Sequence, residues 1–139
     1  MAELYLEIIS PSKIVYKANI LSITIPGTLG SFQVLKNHAP LISTFEIGPV
    51  KIKESESSTK YFATGGGTVE VLNNRVLVLA DSLEAVEDID IARAKASKQR
   101  AEERLSHKTD TTDVERARAA LARAINRLAL VEKYIRAEV

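Results

Sequence analysis

The sequence predicts an α+β fold, an N-terminal antiparallel β-sandwich over residues 1–86 followed by a C-terminal antiparallel two-helix hairpin over residues 87–139. Three observations predict it. Up to Ala80, apolar residues come in short alternating runs punctuated by Pro, Gly and Asn, the pattern of half-buried strands joined by turns. After Asp88 the apolar spacing changes to three and four, the pattern of a helix lying against another helix. No helical stretch interrupts the strands, which argues against a doubly wound parallel sheet and for a sandwich with a separate helical unit.

Taken in order, Leu4, Leu6 and Ile8 alternate with Tyr5 and Glu7, and Ser10-Pro11-Ser12 ends that strand. Ile14 to Tyr16 and Ile20 to Ile25 follow, and Pro26-Gly27 turns the chain. Phe32 to Leu35, Leu41 to Ile47 and Val50 to Ile52 read as further short strands, separated by Asn37, Pro40 and Gly48-Pro49. After a polar loop from Glu54 to Thr59, Lys60 to Thr64 resumes the alternation. Gly65-Gly66-Gly67-Thr68 lacks the lysine and spacing of a phosphate-cradling loop and reads as a turn between strands. Thr68 to Leu72 and Arg75 to Ala80 flank Asn73-Asn74, two residues that tolerate positive φ and suit a tight hairpin.

In the last third, Thr112 and Glu115 form a capping box. Behind it Val114, Ala117, Leu121, Ala124, Leu128, Val131 and Ile135 make a heptad seam. Ile91, Ala94, Lys98, Ala101 and Leu105 repeat the spacing on the preceding segment, and polar Ser106 to Thr111 suits the turn between them.

The 139 residues carry a net charge of +1, too little for a strong nucleic-acid or membrane field over the whole protein. The charge is unevenly placed, since every arginine except Arg75 lies beyond residue 88. The absence of cysteine rules out disulfides and thiolate metal sites and fits a reducing compartment. The N-terminus lacks the basic and apolar regions of a signal peptide, and no apolar run approaches the ~20 residues of a membrane span. A soluble protein is expected. His38 and His107 have no ligand set or nucleophile beside them, and no carboxylate pair stands out, so no catalytic residue, metal or required cofactor is expected.

Residues 24–41, TIPGTLGSFQVLKNHAPL, bring together a Pro-Gly turn, a G-x-F-x-V-L run and an H-A-P-L tetrapeptide. That ordered set resembles the epsilon subunit of F-type ATP synthases. The likeness continues through Glu46 to Val50, Gly65-Gly66, Val69-Glu70-Val71 and Leu79 to Glu84. It reaches Asp88 to Ala94 (DIDIARA), similar to the I-D-x-x-R-A motif of nucleotide-binding bacterial epsilons, with a plastid relative as the other source. Gln33, Lys36 and Gly67-Thr68 depart from the family pattern. The resemblance implies a non-catalytic central-stalk subunit that couples proton-driven rotation to ATP synthesis. Its sandwich would bind the gamma subunit and rest on the c-ring. Leu29, Gly30, Ser31 and Phe32 would approach the ring, and Val34 and His38 would lie toward gamma; a plain surface turn is the other reading of this loop. The hairpin would be a regulatory arm, reaching up among the alpha and beta subunits when extended and inhibiting ATP hydrolysis. The protein would sit at the cytoplasmic face of the bacterial plasma membrane, peripheral to it through the complex.

Two readings of the arm stand side by side. A seam of Ala94, Ala101, Ala117 and Ala124, with Lys98 in the row, buries little apolar area at about 25 cal/mol per Å² and suits a bistable element. The other reading is a permanently folded hairpin. At 100° per residue Asp90, Arg93, Ser97 and Arg100 form one row, and Arg116, Arg123 and Arg127 another on the same side of an antiparallel pair. Guanidinium forks suit phosphate oxygens. By resemblance to nucleotide-binding epsilons, Glu84, Ile89, Asp90, Arg93, Ala94, Arg100, Arg123 and Arg127 would hold ATP as a regulatory ligand of the folded arm. A solvated cationic face with salt bridges such as Asp90–Arg93 is the alternative for the same residues. The rival functional classes are a stand-alone ATP-sensing binding protein and a nucleic-acid module, the latter disfavoured by the low net charge and few aromatics.

Overall fold

The computed structural model describes residues 3–107 and 111–135, with the side chains of 111 and 112 outside the described set. The chain divides after Ala85 into two compact units.

The first unit is a β-sandwich built from one continuous sheet of eight strands: β1 (Leu4–Ser10), β2 (Lys13–Ile20), β3 (Ser22–Gly27), β4 (Gly30–Leu35), β5 (Leu41–Ser55), β6 (Ser58–Leu72), β7 (Arg75–Ala80) and β8 (Leu83–Ala85). The order is β2-β1-β7-β6-β5-β3-β4, with β8 also on β6. Its frame is the long β5–β6 hairpin, in register from Leu41↔Val71 to Ser55↔Ser58. One half of that hairpin carries β7, then β1 and β2; the other half carries β3, β4 and β8. The apolar faces of both halves meet in a single core that includes Leu6, Ile8, Ile23, Val34, Ile52 and Val76.

Pairing is antiparallel as expected, with one difference. β1 runs parallel to β7, from Tyr5↔Arg75 to Ile9↔Leu79, a pairing of segments about seventy residues apart that no local signal announces.

Two expected breaks are instead bends within long strands. Gly48-Pro49 lies inside β5 because the β3 ladder is interrupted opposite it, between Thr24 and Gly27, so the missing proline N–H leaves no gap in pairing on that side. The glycine triplet lies inside β6, where the strand changes neighbour from β8 at Phe62–Thr64 to β7 at Gly67–Leu72. Here the N–H of Gly65 donates to the Ser82 carbonyl (3.1 Å) and that of Asp81 to the Gly66 carbonyl (2.8 Å). A Cβ on Gly67, whose φ is +154°, would stand 2.0 Å from the Leu79 carbonyl oxygen. A residue with a side chain would push the two strands apart. The Asn73-Asn74 turn forms as expected, with φ of 49° and 62°.

A polar cluster joins β2 to the far half of the sheet. The Glu54 carboxylate accepts hydrogen bonds from the Tyr16 hydroxyl and, at 2.9 Å, from Ser58. Lys60 is 3.6 Å from it, and the Tyr16 ring stands edge-on to Phe62 at 6.2 Å.

The second unit opens with a short 3-10 turn, Val86–Asp88, followed by α1 (Ile91–Ser106) and α2 (Thr111–Tyr134). The helices pack on each other through the expected seam, in which Ala94, Ala101, Ala117, Ala124 and Val131 are buried. Leu130 is buried beside Val131, outside the expected row, while Ile135 at the end of the row is exposed. The Thr112 side chain, and with it the expected capping box, lies outside the described residues.

The clasp at Glu54 makes sandwich stability depend on pH. The Tyr16 hydrogen bond, opposed by burial and reinforced by Ser58 and Lys60, holds the Glu54 carboxyl below its usual value of 4.5. Burial, then the bond to Glu54, raises the Tyr16 hydroxyl above its usual 10. A lowered carboxyl adds stability that is present above the usual value and is lost as pH falls through the folded one. A raised phenol adds stability that is present below the usual value and is lost at higher pH. Thermal unfolding of the intact chain against pH is therefore expected to show a plateau between the two, and Tyr16→Phe to lower that plateau and flatten its acid and alkaline shoulders.

Candidate functional site

Local sequence sets the start of α1. Asp90 is its N-cap, in extended conformation, and its Oδ1 accepts the backbone N–H of Arg93 at 3.0 Å. Four N–H groups are unpaired at any helix start, and a carboxylate there satisfies one of them and complements the helix dipole. Asp90 thus meets Arg93 at its backbone N–H, where the alternative reading of these residues had a side-chain ion pair. Ile89 and Ala94, immediately on either side, are buried. Both contribute packing in this conformation and offer no open side-chain surface to a ligand.

Further along α1, the Arg100 guanidinium donates to the Ser97 hydroxyl at 3.1 Å, so the two sit in one row as the periodicity predicts. Arg93 and Arg100 are exposed, and Arg123 and Arg127 on α2 are half-buried. Glu84 lies in β8 of the first unit, opposite Ala63 of β6, and is half-buried. The eight candidate nucleotide residues therefore divide between the units, one in the first and seven in the second.

A cleft of about 670 Å³ opens near the turn of the hairpin. Arg100, Glu103, Arg104 and His107 line it from α1, and Asp113 and Arg116 from α2. Arg100 and Arg116 come one from each predicted row. Of the eight candidates the cleft takes in Arg100 alone. Arg104 and His107 were not among the expected site residues. Their signal was spacing: with Arg100 and Glu103 they occupy successive turns of one helix face. His107 ends α1, donating its backbone N–H to the Arg104 carbonyl at 3.2 Å. Among the described residues no group of His, Cys, Asp and Glu could hold a metal ion.

The partner-facing candidates lie in the sandwich. Thr28 and Leu29 form the tip between β3 and β4, where Gly27 pairs with Gly30. Leu29 is fully exposed, Gly30 has φ of +136°, and Ser31 is exposed. The turn is tied at its base, where the Thr28 N–H donates to the Thr44 carbonyl at 3.2 Å and the two threonine hydroxyls are 2.7 Å apart. Phe32 is half-buried against the core. Val34 departs from the expectation. Alternation along β4 turns it inward, where it is fully buried, so its side chain belongs to the core and presents nothing to a partner. His38 is half-buried in the loop between β4 and β5.

Residues 3–86 match the family model described as ATP synthase, Delta/Epsilon chain, beta-sandwich domain, and residues 87–132 its long alpha-helix domain. The chain belongs to the ATP synthase epsilon-chain family. It is 42% identical over 127 residues to the ATP synthase epsilon chain of Desulforamulus reducens, spanning 91% of this chain and 96% of that one. It is 38% identical over 133 residues to the epsilon chain of Bacillus pumilus, spanning 96% of this chain and 100% of the relative. The fold is similar to a chain in the Euglena gracilis mitochondrial ATP synthase OSCP/F1/c-ring structure (TM-score 0.83, 17% identity, 94% of this chain and 82% of that one). It is also similar to one in the Tetrahymena thermophila central stalk/c-ring structure (TM-score 0.64, 15% identity, 92% and 96%). Epsilon chains are non-catalytic subunits of the synthase, so this chain is not an enzyme by itself. Among the described residues no helix is long and apolar enough to cross a membrane.

The N-cap yields a specific expectation. Asp90→Ala should lower the stability of the helical unit by about 1 kcal/mol and Asp90→Asn by much less, read as faster amide exchange in the first turn of α1 with the sandwich amides unchanged.

Proposed function

We propose that this epsilon-family chain is a central-stalk rotor subunit whose sandwich grips the gamma subunit and abuts the c-ring, and whose hairpin restrains ATP hydrolysis when it leaves its folded state. One observation carries the reading: both family domains match in order, and the Bacillus pumilus epsilon chain is spanned over its full length. On this reading the complex places the chain at the cytoplasmic face of the plasma membrane, and proton-driven rotation passes beneath it through the c-ring. Leu29, Gly30 and Ser31 form the ring-facing tip, with Phe32 fixing its base, and His38 faces gamma.

ATP is the regulatory ligand of the folded arm. Arg100, Arg123 and Arg127 take its phosphates. Asp90 and Arg93 shape the other end. A ligand that binds only one of two conformations stabilises it by mass action, so ATP holds the arm folded and the inhibitor disengaged. Arginines on both helices, Arg100 exposed on α1 and Arg123 and Arg127 half-buried on α2, support this chemistry, since guanidinium forks suit phosphate oxygens.

Two measurements test the reading. The full chain should co-purify with alpha, beta and gamma subunits from membranes, and purification as a partnerless monomer would favour a stand-alone ATP sensor. ATP titration of the isolated chain should give saturable binding that Arg100→Ala and Arg123→Ala each weaken about tenfold or more, as for a lost charge-assisted hydrogen bond. Binding untouched by both substitutions rules out the site.

A further inference from the structure

The loop between β4 and β5 is held by a residue outside it. Asn37, with φ of 67°, donates its backbone N–H to Oδ1 of Asn74 at 2.6 Å, and Asn74 Nδ2 donates back to Oδ1 of Asn37 at 3.3 Å. Asn74 is the second residue of the β6–β7 turn, and its own carbonyl accepts the N–H of Tyr5 at 2.8 Å. One side chain and one carbonyl thus tie β1, the β6–β7 turn and the β4–β5 loop together. Beside Asn37, His38 donates its N–H to the Leu35 carbonyl at 3.1 Å, and its Nδ1–H points to the Ala39 carbonyl at 2.6 Å. Lys36, Asn37, Ala39 and Pro40 are exposed, so the loop has little packing of its own to order it.

Turn geometry tolerates asparagine at this position but does not require it. A two-residue hairpin turn with positive φ at both residues is best served by Asn followed by Gly, which has no Cβ to strain. Asn74 bears a backbone cost that glycine would avoid, and what its side chain adds is the two bonds to Asn37. Those bonds remove loop conformations that binding would otherwise have to remove.

We propose that Asn74 is a positioning residue for partner docking: through Asn37 it holds His38 and its neighbours in the binding conformation before the partner arrives. This rests on the reading above that the His38 loop faces the gamma subunit. Asn74 acts through the loop, so its loss lowers affinity by releasing the loop and leaves the sandwich intact.

The test uses the full chain with Asn74→Gly, which keeps the turn, and Asn74→Asp, which keeps the Oδ1 acceptor. Asn74→Gly should speed amide exchange at Asn37 about tenfold with an unchanged thermal midpoint. It should also weaken calorimetric binding to purified gamma by about three- to tenfold. Asn74→Asp should restore most of both. Unchanged exchange at Asn37 in Asn74→Gly overturns the clasp. His38→Ala separates the remaining cases. If it weakens gamma binding while Asn74→Gly, despite fast exchange, does not, the positioning role is wrong and the loop assignment stands. If His38→Ala leaves gamma affinity unchanged, the loop assignment fails and the positioning role with it.

Discussion

Alanine methyl groups lie along the seam between α1 and α2, and the character of the whole helical unit follows from that. Ala94, Ala101, Ala117 and Ala124 are each 3% exposed or less, so the seam is closed, yet each methyl removes little apolar surface from water. A methylene-sized group contributes roughly 0.8 kcal/mol on burial, against about 1.5–3 for a Leu, Ile or Val. Larger buried side chains gather where the unit begins and where α2 ends, at Val86, Ile89, Leu130 and Val131. The end nearest the turn has alanines, half-buried Val114 and Leu105, and a charged cleft. A hairpin built this way is anchored at its base and weak toward its tip.

The sandwich is built on the opposite plan. Its core is filled by leucine, isoleucine and valine from most of its strands, and the sheet is folded over a long hairpin whose bends are set by Gly48-Pro49 and the glycine triplet. Close approaches such as Gly67 against Leu79 leave few alternative packings. One chain therefore carries a rigid part and a loosely held part, the division a rotor subunit with a movable arm needs. On the proposed reading, the rigid part keeps its grip on gamma through every rotation, and the loose part lies within a few kcal/mol of another arrangement. A modest ligand affinity then suffices to shift it.

Which parts of this were legible in the sequence follows from how local each signal is. The helical seam was readable because periodicity along one helix names its buried side, and Ala94, Ala101, Ala117, Ala124 and Val131 fall there. The Asn73-Asn74 turn was readable because positive φ is a property of the residues themselves. Gly48-Pro49 and Gly65 to Gly67 look like breaks in the sequence, since whether a glycine ends a strand or bends it depends on which strand lies beside it. The parallel β1–β7 pairing and the Asn37–Asn74 bonds join segments far apart in the chain and leave no local trace. Val34 shows the reverse case. It shares the side of β4 taken by half-buried Phe32 and is fully buried, while the family resemblance implies a gamma-facing position. At the cleft, His107 has no ligand set beside it in the sequence, and the six residues of the lining come together only when α1 and α2 pack.

The unequal strength of the two units is tested most directly by native-state amide exchange on the intact chain, with and without ATP. The amides of α1 and α2 should exchange through openings well below the global unfolding free energy, while the buried strands β1, β6 and β7 exchange only on global unfolding. Saturating ATP should slow the helical amides and leave the strands unchanged. Helical amides as protected as the sheet core in the absence of ATP would contradict the claim that alanine packing leaves the arm free to release.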